Sequence, residues 1–116
     1  MNQLHPVLKK WFLIWQNGNF EDIPISKDFK HTSPFGVIDS AAEYLEIVHS
    51  NKEAFLNHKF ENFEQISEGN KVCIRYNQIS EKGTMRVCEW YILQDDLIKE
   101  VYSYYNIGNA SLVKPN

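Results

Sequence analysis

The chain has 116 residues, enough for one hydrophobic core and too few for two. Its formal charge is −3, and its nearest approach to a basic run is Lys9-Lys10, so a nucleic-acid partner is not expected. The apolar stretch Trp11 to Trp15 is far too short to span a bilayer, and no long apolar core or small-residue cleavage site follows Lys9 and Lys10. The expected location is the cytoplasm, with no membrane partner.

Leu4, Val7, Leu8, Trp11, Ile14 and Trp15 recur at helical spacing, and Pro6 and Gly18 suit the two ends of that helix. Pro24 keeps any helix within 19–27 short. Residues 28–33 read as a short strand, with Phe29, His31 and Ser33 on one face, closed by the turn Pro34-Phe35-Gly36. Ser40-Ala41-Ala42-Glu43 fits a capping box, and Tyr44, Ile47, Val48 and Phe55 continue an apolar face, which predicts a helix over 41–54. Four strands are expected after it, at 58–67, 71–80, 84–94 and 97–106. Turns separate them at Glu68-Gly69-Asn70, Glu81-Lys82-Gly83 and Asp95-Asp96. The single domain is expected over 1–106, and the weakly patterned 107–116, with Pro115, as an unpaired tail.

Helices followed by a run of strands predict an α+β domain with helices on one sheet face. Along 85–93, one strand face carries Met85, Val87, Glu89, Tyr91 and Leu93, and the other Arg86, Cys88, Trp90 and Ile92. Both faces are largely apolar, and the helices cover only one. The second face, with Trp90, Ile92, Arg86 and Arg75, is expected to meet a twofold mate in a homodimer; the alternative is a strand curling through the core. Cys73 and Cys88 fall in neighbouring predicted strands and read as small buried hydrophobes in a reducing compartment rather than as a disulfide. Neither CxxC nor HxxxH spacing occurs, so no metal site is expected, and the lack of a Gly-rich phosphate loop implies no cofactor.

Several segments resemble the SnoaL-like, or nuclear transport factor 2-like, superfamily. Trp15-Gln16-Asn17-Gly18-Asn19-Phe20 is similar to the end of its first helix, and residues 29–36, Phe-Lys-His-Thr-Ser-Pro-Phe-Gly, to its strand ending in a Pro-x-Gly turn. Glu68-Gly69-Asn70-Lys71-Val72 resembles its hairpin turn. Val87-Cys88-Glu89-Trp90-Tyr91 and Ile98-Lys99-Glu100-Val101-Tyr102 resemble its last two strands. The resemblance covers about residues 5–106 in the family's element order. It implies a cone-shaped, curved, mostly antiparallel sheet wrapped around a long N-terminal helix, a cystatin-like α+β roll, usually dimeric and with an apolar pocket. Ketosteroid isomerases, polyketide cyclases, epoxide hydrolases, dehydratases and non-catalytic binding proteins share this fold.

By that resemblance, Ser33 stands where the steroid isomerases carry their general-base Asp, and Trp11 where they carry an oxyanion-binding Tyr. Glu89 stands at the second oxyanion donor and keeps the carboxyl group. Asn106 stands where relatives often have Asp. Only one isomerase role of three survives, so steroid isomerisation itself is not expected.

Glu89 is the leading catalytic candidate, because a carboxyl buried between apolar neighbours becomes a proton donor. Two other placements stay open: pairing with Arg75 or another cation, or a register that turns Glu89 to the dimer face. His31 is the second candidate, on the same strand face as Ser33 and Phe29. It forms an acid–base pair with Glu89 if that face looks inward, and is otherwise a hydrogen-bonded structural residue. His5, His49 and His58 are expected at helix ends or in solvent. Trp11, Trp15, Phe29, Ser33, Tyr44, Tyr76 and Tyr91 are expected to line a pocket for a small hydrophobic molecule, unless the aromatics fill the core completely.

Overall fold

The computed structural model describes residues 4–56 and 58–107. The expected tail falls outside the described residues from 108 onward. Helix α1 runs Pro6–Asn17, with Pro6 in its first turn, where a missing N–H costs nothing. Gly18 ends it in the left-handed conformation (φ 86°) and donates its N–H to the Ile14 carbonyl at 2.8 Å. A 3₁₀ turn at Phe20–Asp22 follows, as short as Pro24 requires.

Strand β1 spans Ile25–Ser33, three residues longer at its start than expected. The reason is a partner distant in sequence: Ile25 pairs with Ile98, and the Ile98 N–H donates to the Pro24 carbonyl at 2.8 Å. A three-residue strand β2, Gly36–Ile38, folds back on β1 with Thr32 opposite Val37. It is too short to leave a periodic signal.

The capping box forms at the start of α2, Ala41–Ser50, where the Ser40 hydroxyl accepts from the Glu43 N–H at 2.9 Å. The expected single helix is broken at Asn51. Asn51 leaves the helical conformation (φ −112°, ψ 21°), and its side-chain amide donates to the Ile47 carbonyl at 2.8 Å, the same acceptor its backbone N–H reaches at 3.1 Å. A one-turn helix, α3, resumes at Lys52–Phe55.

The remaining strands are β3 (Lys59–Glu68), β4 (Lys71–Ser80), β5 (Gly83–Gln94) and β6 (Leu97–Tyr105), each within a residue of its expected bounds. Asp95 and Asp96 both take positive φ (53° and 63°), the mirror-image turn that matches strand twist. The six strands lie in the order β2-β1-β6-β5-β4-β3, antiparallel throughout except for β1 beside β6. Register breaks in β1, β3 and β6 interrupt the ladder, the one in β3 at Asn62 (φ 61°). Such bulges bend a sheet.

The inner sheet face meets the helices. Leu8 and Phe12 of α1, Phe29, Ile74, Tyr91, Ile98 and Val101 are essentially sealed from water. Among the described residues no helix is long and apolar enough to cross a membrane.

Gly18 joins this core to its boundary, because a Cβ there would lie 3.0 Å from Leu56 Cδ2 in a backbone conformation that L-residues resist. Gly18→Ala is expected to cost about 1–2 kcal/mol. Chemical denaturation would read this as a lower midpoint at unchanged m-value.

Candidate functional site

Period-two alternation along β5 sends Val87, Glu89 and Tyr91 to the inner face, while Arg86 and Trp90 point away. Ser103 of β6 pairs with Glu89 in the ladder. Its hydroxyl donates to Glu89 Oε2 at 2.6 Å. Tyr76, from β4, donates to Glu89 Oε1 at 3.1 Å, and Tyr91 donates to the same oxygen. A carboxyl group 7% exposed is thus held by three hydroxyls and, among the described residues, no cation. The alternative pairing with Arg75 is not formed: Arg75 lies on the outer face, bonded to Glu64 of β3.

Burial pushes the Glu89 carboxyl above its ordinary pKa, outweighing the hydrogen bonds from Ser103, Tyr91 and Tyr76. Burial, with the nearby Glu89 charge, likewise holds the Tyr44, Tyr76 and Tyr91 hydroxyls well above theirs.

His31 arrives on β1, opposite Val101 of β6. Its Nε2 lies 3.4 Å from Ser103 Oγ, and its ring leans on Tyr44 with centroids 5.2 Å apart. Burial drives its pKa down to about 4, which leaves a neutral imidazole at physiological pH. Ser103 therefore stands between the two groups, in contact with both. It was not singled out from the sequence, although its place between Val101 and Tyr105 on one face of the last expected strand was the available signal.

These groups face a cavity of about 620 Å³, within the range of small-molecule sites. Trp11, Trp15 and Phe12 of α1 form one wall, and Tyr44 and Val48 of α2 another. Trp11 stacks on Tyr44 at 6.5 Å and meets Trp15 edge-on at 5.6 Å. Phe60, Tyr76, Met85, Val87 and Tyr105 supply the sheet side. The polar lining comprises His31, Ser33, Glu89 and Ser103, with His58, Gln78 and Asn106 also in contact with the space. No Lys or Arg is among the described lining residues.

Of the expected lining residues, Trp11, Trp15, Ser33, Tyr44 and Tyr76 border the cavity together with Glu89 and His31. Phe29 and Tyr91 do not: both are fully buried one layer behind it, Phe29 against Tyr44 and Tyr91 against Trp11. Strand alternation gave their face but not their depth. His58, expected in solvent, borders the cavity. The aromatics do not fill the core completely, because α1 and α2 hold Trp11 and Tyr44 as walls.

No family model matches the sequence, and no curated protein does. Solved structures do match. A nuclear transport factor 2-like protein of unknown function from Cytophaga hutchinsonii superposes with a TM-score of 0.74 at 18% identity, over 91% of this chain and 90% of its own. The fold is nuclear transport factor 2-like. A candidate isomerase of the SnoaL-like family from Agrobacterium tumefaciens gives a TM-score of 0.72 at 13% identity, covering 91% of this chain and 99% of that one. A candidate polyketide cyclase from Sinorhizobium meliloti gives 0.75 at 12% identity, covering 86% and 94%. The nuclear transport factor 2-like fold thus includes isomerases, cyclases and proteins of unknown function, and identities this low carry the architecture and not a reaction.

The histidine has a consequence for stability. As pH falls below 6.5 an unfolded chain protonates His31 first, whereas the folded chain waits until about pH 4. Folding stability should therefore decline across that window, by up to about 3 kcal/mol from this residue. Glu89 acts in the opposite sense: its raised pKa removes stability as pH rises above 4.5 toward the folded value. Urea denaturation of wild type and His31→Gln at pH 7 and pH 4.5 should show a smaller decline in the variant.

Proposed function

We propose that this chain binds a small, neutral, hydrophobic molecule carrying an oxygen acceptor, and that Glu89 and His31 run acid–base chemistry on it, of the isomerisation, cyclisation or dehydration class. The observation that carries the reading is Ser103, 2.6 Å from Glu89 Oε2 and 3.4 Å from His31 Nε2 at one cavity wall. Aromatic walls supply apolar contact, and the absence of Lys and Arg from the described lining disfavours an anionic ligand.

In the step we propose, protonated Glu89 delivers its proton to the ligand oxygen while neutral His31 takes one from an adjacent carbon. The Ser103 hydroxyl then passes a proton from His31 back to Glu89, so the site ends as it began. Ser33 and Trp11, at the places of the steroid isomerases' Asp and Tyr, contribute a hydroxyl and an indole wall. The cytoplasm is the proposed location, since two free thiols 3.6 Å apart suit a reducing compartment.

Neutral cyclic enones are suitable probes, because Trp11 and Trp15 border the cavity and would report occupancy as fluorescence quenching. Glu89→Gln should leave affinity for a bound enone within a few-fold and lower turnover about 100-fold or more. No quenching by any enone would sink the binding reading; turnover unchanged in the variant would sink the chemistry.

A second proposal concerns assembly. Ile66, Tyr104 and Trp90 are 79%, 57% and 43% exposed on the outer sheet face, which is a large apolar surface for an unpartnered chain. We propose that a second copy covers it in a twofold homodimer, with Trp90 and half-buried Ile92 at the centre and Arg75 and Arg86 at the edge. Sedimentation should give a dimer for wild type and a folded monomer for Trp90→Ala. A monomeric wild type at high concentration would exclude this assembly.

A further inference from the structure

The outer sheet face also carries the two cysteines, and they are not the buried hydrophobes the sequence suggested. Cys73 of β4 and Cys88 of β5 are both half-exposed, and their sulfurs stand 3.6 Å apart. In the ladder Cys73 pairs with Trp90 and Cys88 with Arg75, so the thiols are diagonal neighbours whose side chains lean together across the strand pair. A disulfide needs the sulfurs about 2.05 Å apart, so closing the remaining gap takes side-chain rotation together with a small shift of the two strands. We propose that Cys73 and Cys88 form a reversible oxidation site, a dithiol that a hydroperoxide converts to an intrachain disulfide.

The neighbours of the two sulfurs assign them different roles. Arg75 stands directly opposite Cys88; its guanidinium is held chiefly by Glu64, with a lesser attraction to the Cys88 sulfur. Cys73 meets Trp90 and Ile66 in the ladder instead. Burial and the hydrogen bond to Cys88 push the Cys73 thiol up to about 11, and the attacking role is assigned to Cys88, the sulfur that stands opposite Arg75 in the ladder. The Cys88 thiolate attacks one peroxide oxygen, the O–O bond breaks, and the departing hydroxide takes up a proton to leave as water. Cys88 is then a sulfenic acid. Cys73 attacks that sulfur, the S–S bond forms, the S–O bond breaks, and a second water leaves with the proton from Cys73. Two thiols and one hydroperoxide yield one disulfide, with the peroxide reduced. The site lies on the opposite sheet face from Glu89 and His31 and does not depend on the acid–base reading; it shares the outer face with the proposed dimer, so a hydroperoxide reaches the two thiols in the monomer, which dilution favours.

Hydrogen peroxide in a few-fold excess over dilute protein, followed by alkylation of remaining thiols and mass spectrometry, tests the site. The expected product is a Cys73–Cys88 linked peptide two hydrogens lighter than the dithiol, restored by dithiothreitol. Over-oxidation of Cys88 without the linked peptide, or a disulfide between two chains, would overturn the proposal. The roles are read with dimedone, which traps sulfenic acid. Cys73→Ser should accumulate the adduct at Cys88, while Cys88→Ser should react at least ten-fold more slowly at Cys73. Equal rates in the two variants would refute the assignment. Arg75→Gln should slow wild-type disulfide formation several-fold, and an unchanged rate would remove Arg75 from the account.

Discussion

The site depends on one buried carboxyl group. Glu89 sits mid-strand at the centre of the inner face, where an ionised carboxylate would be expensive to strand without partners. The chain surrounds it with hydroxyls instead of a cation. With no cation beside it among the described residues, burial raises the carboxyl's pKa despite the three hydroxyls, a shift that an Arg partner would have opposed. The carboxyl also ties β4, β5 and β6 together at one point, because Tyr76, Tyr91 and Ser103 come from those three strands. Polar satisfaction and sheet geometry are the same constraint here.

The aromatic content serves two purposes that composition alone does not separate. Phe29 and Tyr91 pack behind the cavity as core, whereas Trp11, Trp15 and Tyr44 stand at its edge as walls. The difference comes from the helices: α1 and α2 lie across the inner face and hold rings at a distance from the floor. The polar groups gather on the β1–β6–β5 side, so the pocket has an apolar wall facing a hydrogen-bonding one. A ligand with one polar atom on an otherwise apolar body matches that division.

The fold was legible in the sequence because its signals are local. Pro6 and Gly18 bracket α1, Ser40 with Glu43 starts α2, and the four strand-and-turn units of residues 59–105 are each marked by alternation and a turn. What escaped depends on contacts distant in the chain. The early start of β1 at Ile25 requires Ile98, and the depth of Phe29 and Tyr91 requires the helices above them. The convergence of His31 with Glu89 was legible only as a condition, that the β1 face turns inward. Ser103, which joins them, has a place that follows only once β5 and β6 are set in register. Cys73 and Cys88 read as small buried hydrophobes by residue type, whereas the single chain leaves both partly exposed on the outer face beside Trp90.

The pairing of β1 with β6 bears on the order in which the site is put together. Strands β3 to β6 are joined by tight turns and make near-neighbour contacts, so they close at small entropic cost. β1 must instead span about seventy residues of chain to reach its parallel partner. Glu89 and Ser103 therefore belong to an early-forming meander, and His31 to a late-docking strand. The acid and the base meet only when the last large loop is closed, and the same strand should be the first to let go in a sub-global opening. Hydrogen exchange would show this as weaker protection of the β1 amides than of those in β5, and equal protection would argue that the sheet opens as one unit.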